Sequence, residues 1–186
     1  MTIMGRGDIA SVLTDREDRI YFASGVSNSS ELRESEYQRE KDLLLEQDRS
    51  KHIVYFGSLC IFFSDNRYAK HKKQMEKLVK DNFKLYTIIR MGNITWGQNP
   101  NTLINFLRNK LKNHEPFELQ DVYRYVVNKE EFLYWIAMIP DFSCEMNIPG
   151  KRLTVKKIVK EYCYPWGKEN KSEEYDYGNI QTQPTL

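Results

Sequence analysis

Ile53-Val54-Tyr55-Phe56-Gly57 is an apolar run that ends on Ser58, and after a loop through Asp65-Asn66 the chain reads Tyr68-Ala69-Lys70-His71-Lys72. A short, unbroken apolar run bounded by glycine is the pattern of a strand buried on both faces. The segment 68–80 has helical periodicity, with Tyr68, Lys72, Met75 and Val79 on one face. A buried strand feeding a helix is half of a parallel crossover unit, and the same alternation continues in both directions.

Towards the N-terminus, residues 19–24 (Ile20-Tyr21-Phe22-Ala23 at their centre) form a second buried strand closed by Gly25. Ser27, Asn28, Ser29 and Ser30 offer caps for a helix over 31–49 whose buried stripe is Leu32, Tyr37, Leu44 and Leu45. Residues 1–4 make a short apolar strand that runs into Gly5, with a brief helical stretch over 8–13. Towards the C-terminus, 85–90 is a further strand and 101–112 a helix burying Leu103, Phe106, Leu107 and Leu111. Strands over 122–127 and 145–148 and helices over 129–139 and 154–162 complete the pattern. The expected class is α/β: a Rossmann-like three-layer αβα fold with a mostly parallel sheet. One domain over 1–165 is expected, with a polar, flexible tail over 166–186.

Composition agrees with an ordinary globular chain. Of 186 residues 40% are hydrophobic and 29% charged, and the net charge is only +2, so no overall field favours nucleic acid or an acidic membrane. No apolar stretch is long enough to cross a bilayer, no secretory leader is visible, and the expected setting is cytoplasmic. Cys60, Cys144 and Cys163 are unpaired in spacing and His52, His71 and His114 are scattered, so no metal site is expected. Arg6-Gly7-Asp8 and the Asn-x-Ser/Thr triplets at Asn28, Asn93 and Asn170 read as chance matches in that setting. Trp96, Trp135 and Trp166 read as core or subunit-contact residues, and Cys60 as an inert buried thiol.

Two groups of residues could carry chemistry. Gly5-Arg6-Gly7-Asp8-Ile9-Ala10 matches G-x-G-x-x-G/A between a strand and a helix, where glycines let backbone N–H groups approach a pyrophosphate. A plain strand–turn–helix gives the same pattern, and the Asp8 carboxylate is a poor neighbour for an anion. Tyr68 and Lys72 stand one helical turn apart, so an ammonium can sit beside the phenol and favour its ionisation. Ser58, at the end of the buried strand, could hold a substrate oxygen; without it, Tyr68 and Lys72 also read as a packing tyrosine on a lysine-rich solvated face that includes Lys70, Lys73, Lys77, Lys80 and Glu76.

The order of these segments resembles the extended short-chain dehydrogenase/reductase family, the NAD-dependent epimerase/dehydratase group that acts on nucleotide sugars. Ala23-Ser24-Gly25-Val26-Ser27-Asn28 is similar to the segment after the fourth strand that borders the cofactor, and Val54-Tyr55-Phe56-Gly57-Ser58 to the fifth strand, ending in the catalytic Ser/Thr. Ile89-Arg90-Met91-Gly92-Asn93-Ile94 is similar to the strand end beside nicotinamide and sugar, and Tyr125-Val126-Val127-Asn128 and Asn147-Ile148 with Thr154-Val155 to later family segments. The resemblance implies Tyr68 as general acid/base, with Lys72 and Ser58 as its catalytic partners. It also implies an NAD or NADP site built from Gly5, Arg6, Gly7, Ile9, Ala23, Ser24, Gly25, Tyr68, Lys72 and Met91. Ser58 and Asn93 would meet a nucleotide-sugar substrate, and a homodimer could form through helices 31–49 and 68–80.

The chain departs from the family pattern between Gly7 and Arg19, where only a short helix fits and the second and third strands of the dinucleotide half are expected to be missing. The connection from Ser58 to Tyr68 and the C-terminal substrate region are also short. The alternative is therefore a non-catalytic Rossmann-type binding or scaffold protein. Nucleic-acid binding through the 70–80 lysine face is a third, weaker reading.

Overall fold

The structure, a computed structural model, describes residues 2–117, 119 and 122–164. In chain order its first elements are β1 (Ile3–Met4), β2 (Arg19–Phe22), α1 (Glu34–Leu45), β3 (His52–Ser58), α2 (Arg67–Asn82) and β4 (Tyr86–Met91). There follow β5 (Asn93–Ile94), α3 (Leu103–Lys112), β6 (Tyr123–Val127), α4 (Lys129–Ala137), β7 (Cys144–Ile148), β8 (Lys151–Thr154) and α5 (Val155–Ile158).

β3 is the centre because its side chains are apolar on both faces. Ile53 and Tyr55 join Ile20, Phe22 and Ile88 under Leu44 of α1 and Met75 and Val79 of α2. The intervening residues Val54 and Phe56 join Tyr21, Ile89 and Ile148 on the other face, beneath Val127, Phe132 of α4 and Ile139. This period-two division puts helices on both sides of one sheet. That sheet is parallel throughout, in the order β1-β2-β3-β4-β7, with Val54 opposite Tyr21 and Thr87. The α/β, Rossmann-like expectation holds.

A second, three-stranded sheet, β5-β6-β8, rises from the end of β4 and was not foreseen. Its strands are short, and β5 and β8 have too few residues to show a period. Val126 of this sheet packs with Ile104 and Leu107 of α3 and with Val155 and Ile158 of α5, forming a third core beside the main one.

At the N-terminal side, β1 pairs directly with β2, and the connection carries only a 3₁₀ turn at Ala10–Val12. Among the described residues no strand lies outside β1, in agreement with the shortened dinucleotide half read from the sequence. No helix among them is long and apolar enough to cross a membrane.

Several boundaries are corrected. α1 starts at Glu34 rather than 31, and Ser27–Ser30 do not cap it. Those residues turn on themselves instead: Asn28 accepts from the backbone N–H groups of Ser30 and Glu31, and the Glu31 carboxylate takes those of Leu32 and Arg33. Leu32, expected in the core, is therefore 89% exposed, and Leu45 is partly exposed. On α3, Ile104 is buried while Phe106 points outward. The last helix is α-helical only over Val155–Ile158 and widens to a π-helical turn over Val159–Cys163. Trp96 is half-buried and Trp135 exposed, while Trp166 and the 166–186 tail lie outside the described residues.

Phe132 joins α4 to the sheet, its ring 5.9 Å from that of Phe56 and 5.2 Å from that of Trp96. Phe132→Ala is expected to cost about 3–5 kcal/mol, read as a lower urea midpoint with an unchanged slope.

Candidate functional site

A pocket of about 1030 Å³ lies at the carboxyl ends of β1 to β4, where the strands hand over to their loops. Gly5, Arg6, Gly7 and Ile9 line one wall, and Ala23, Ser24 and Gly25 continue it after β2. Ser58, Tyr68 and Lys72 line the opposite part, with Met91 and Asn93 beyond β4. Every residue singled out from the sequence for the site borders this one space.

The glycine turn is shaped by close approach. Gly5 has φ +124°, and a Cβ there would fall 2.3 Å from the carbonyl oxygen of Ala23. A Cβ on Gly7 would meet no heavy atom within 4 Å, so backbone and open pocket are in direct contact there. Ala10 is buried behind the turn. The Asp8 carboxylate, unfavourable for an anion in the sequence reading, accepts the backbone N–H groups of Gln98 and Asn99, each at 3.0 Å. The Trp96 indole donates to the Asp8 carbonyl at 3.0 Å, and Asn99 reaches Ser27 at 2.9 Å. Asp8 therefore fastens the loop after β5 to the glycine turn.

Ser58 ends β3 in extended conformation, and its Oγ accepts the backbone N–H of Cys60 at 3.3 Å. Asn66 caps α2 by accepting from the N–H of Ala69 at 2.8 Å, which sets the phase of the helix. That phase puts Tyr68 at the pocket wall and Lys72 beneath it, with Nζ 5.6 Å from the Tyr68 ring centroid. Lys70, Lys73, Lys77 and Lys80 are the solvated face. Lys72 and Glu76 do not belong to it: both are buried, and Glu76 forms a two-pronged ion pair with Arg90 of β4 at 2.9 and 2.7 Å.

Lys72 is held by a group the sequence reading missed. Glu40 of α1 is fully buried and takes four donors: Val26 N–H at 2.7 Å, Tyr55 O–H at 2.8 Å, His71 Nε2 at 2.9 Å and Lys72 Nζ at 3.0 Å. Lys72 also donates to the Tyr55 oxygen at 3.2 Å. Among the described residues His71 Nδ1 is buried without a hydrogen-bond partner, and its ring is edge-on to Tyr37 at 4.7 Å. The signal for Glu40 was its place between Tyr37 and Leu44 on the apolar stripe of α1, where a charge is out of pattern.

The charges settle as follows. Burial alone would raise the Glu40 pKa, but Lys72, the His71 contact and the Val26 N–H outweigh it and hold the carboxyl below its ordinary range. Burial would lower Lys72, but Glu40, joined by Tyr68, outweighs it and the ammonium is firmer than usual. Burial raises the Tyr68 phenol, and although Lys72 and Ser58 pull it down, the net direction is up. The expectation of a phenol made more acidic by its lysine is thus corrected: the neighbour is present, but desolvation is the larger effect. Burial likewise raises the Cys60 thiol, in keeping with an inert cysteine.

No protein-family model and no curated protein matches the chain. Solved structures do. A Bacillus cereus UDP-glucuronic acid 4-epimerase, a tyrosine-to-phenylalanine mutant with NAD and a fluorinated UDP-sugar, superposes with TM-score 0.58 at 14% identity over 76% of this chain and 58% of its own. UDP-glucose 4-epimerase from Thermotoga maritima, solved with UDP-glucose, gives 0.55 at 16% identity over 77% and 59%. The Thermus thermophilus UDP-glucose 4-epimerase complex with NAD gives 0.53 at 14% over 76% and 59%. These are extended short-chain dehydrogenase/reductase epimerases, and at such identity the likeness is one of fold. The chain spans less than two thirds of their length.

Gly25 tests the closeness of the ion pair, since a Cβ there would fall 2.7 Å from Lys72 Nζ and 2.8 Å from Glu40 Oε1. Gly25→Ala is expected to cost about 1–3 kcal/mol in urea denaturation, because the buried pair must move to admit a methyl group.

Proposed function

We propose that this chain is an NAD(P)-dependent enzyme of the epimerase, dehydratase or reductase kind acting on a nucleotide sugar. The observation that carries the reading is the single pocket bordered by the glycine turn, Ser58, Tyr68 and Lys72. The fold shared with epimerases solved with NAD and UDP-sugars supports it.

The residues fit a dinucleotide at its nicotinamide and pyrophosphate end. Gly5 makes the tight turn, Gly7 leaves its backbone open to the pocket, and the Asp8 carboxylate is engaged by Gln98 and Asn99. Gly5, Arg6, Gly7 and Ile9 would hold the pyrophosphate, with Ala23, Ser24, Gly25 and Met91 lining the path to the nicotinamide. A bound nicotinamide would supply or accept hydride. The protein's own part is positioning and proton handling. Lys72, with two acceptors already engaged, has one N–H left for a ribose hydroxyl. Ser58 and Asn93 hold the sugar, and Tyr68 gives or takes the proton at the reacting oxygen. A homodimer through α1 and α2 belongs to the same reading. Their facing sides are engaged within the chain by Arg67–Glu34 and His71–Glu40 contacts, so a second copy would meet their outer sides.

A second reading rests on β1 as the outermost strand: a binding protein that keeps the pocket but performs no turnover. Calorimetric titration with NAD⁺, NADH and NADPH separates the two. The enzyme reading expects binding, weakened about tenfold or more by Lys72→Met through loss of a charge-assisted hydrogen bond. Tyr68→Phe should leave affinity within about threefold while stopping turnover of UDP-sugars. Absence of dinucleotide binding at millimolar concentration would overturn the enzyme reading.

A further inference from the structure

We propose that Glu40 is the positioning residue of this site: its buried carboxylate fixes the Lys72 ammonium at the pocket wall as its own counter-ion, so that Tyr68 meets a ligand oxygen in its O–H form. The inference rests on the reading of Tyr68 as the residue facing the reacting oxygen, but its test needs no cofactor.

The geometry is that of a built clamp. Glu40 is buried and receives donors from four directions, the Val26 backbone, Tyr55, His71 and Lys72, all within 3.0 Å. A carboxylate so fully engaged has no free lone pair to draw it elsewhere. Gly25 lies against the pair, and any side chain larger than hydrogen would collide with both partners. Lys72 is therefore oriented before a ligand arrives, with Glu40 and Tyr55 fixing two of its three N–H bonds.

The same clamp decides what Lys72 can do for Tyr68. The titratable and polar groups that bear on the phenol and ammonium are Glu40 from α1, Tyr55 and Ser58 from β3, Cys60 from the turn after β3, and His71 from α2. In this set the ammonium of Lys72 is balanced by the carboxylate of Glu40. A phenolate at Tyr68 would add a second negative charge to a buried site whose positive charge is already matched. Without the carboxylate, Tyr68 and Lys72 would become each other's counter-charge, and the pair would titrate as a unit.

Tyrosinate absorbance, followed on the folded side of the alkaline transition, tests this. Subtracting the Tyr68→Phe protein isolates one of twelve tyrosines. In the wild-type chain Tyr68 is expected to yield no tyrosinate until above the ordinary phenol value of about 10. In Glu40→Gln its midpoint is expected to fall by about one pH unit or more, and Glu40→Asp, which keeps the charge, is expected to stay with wild type. A wild-type Tyr68 that ionises below about pH 9, or an unchanged midpoint in Glu40→Gln, overturns the proposal. If Glu40→Gln does not fold, a wild-type Tyr68 midpoint below about pH 9 still overturns the proposal. Failure of dinucleotide binding would strike the enzyme reading and leave this titration as it stands.

Discussion

A carboxylate and an ammonium, sealed from water between α1 and α2, tie together the parts of this molecule that matter for its site. Glu40 and Lys72 join the two helices, Tyr55 ties them to the central strand, and the Val26 N–H brings in the loop after β2. Taking both charges out of water costs several kcal/mol each, and their mutual attraction offsets that cost only with good geometry and satisfied remaining bonds. Here the carboxylate's bonds are satisfied, while Lys72 keeps one N–H and the adjoining His71 its Nδ1 without a partner. Such a pair adds little net stability over an apolar pair of the same volume, so its presence under a pocket points to placement rather than strength. An apolar pair would hold the helices equally well, but it could not present an N–H to the pocket.

The main sheet was legible because its signal is hydrophobic. Ile53–Phe56 and Ile20–Phe22 are apolar on both faces, and continuous burial of that kind belongs to the inner strands of a parallel sheet. The candidate site was legible because it sits where such strands end, and the glycine turn, Ser58, Tyr68 and Lys72 mark those ends. What escaped was of a different sort. Glu40, His71 and the Tyr55 hydroxyl are polar atoms whose partners lie far along the chain, up to thirty-two residues away for Glu40 and Lys72. Periodicity reports which face is apolar; it does not report which charge on that face has found an opposite. The same gap placed Lys72 and Glu76 among solvated lysines.

The shortened N-terminal half has a geometric consequence. With β1 at the sheet edge, the glycine turn is an end wall of the pocket, not the middle of a longer crevice. Asp8 reinforces that wall by binding the loop after β5 through two backbone N–H groups and by receiving the Trp96 indole. Asp8, which borders the pocket, serves as a strut. The open backbone at Gly7 stays available, and the Asp8 carboxylate is hydrogen-bonded by donors of its own.

The competition at Tyr68 explains why spacing alone misjudges acid–base chemistry. Tyrosine and lysine one helical turn apart bring a positive charge near a phenol, and in water that charge would act weakly but with no desolvation against it. Inside the protein two further things happen. Desolvation disfavours the phenolate, and the ammonium recruits the best anion within reach, which is the carboxylate of Glu40 and not the phenol. Lys72 is then held as a donor by Glu40 and Tyr55, and burial keeps the Tyr68 phenol above its ordinary range. Under the proposed enzyme reading, a pair in that state would give a proton to an oxygen that gains charge, the direction of carbonyl reduction.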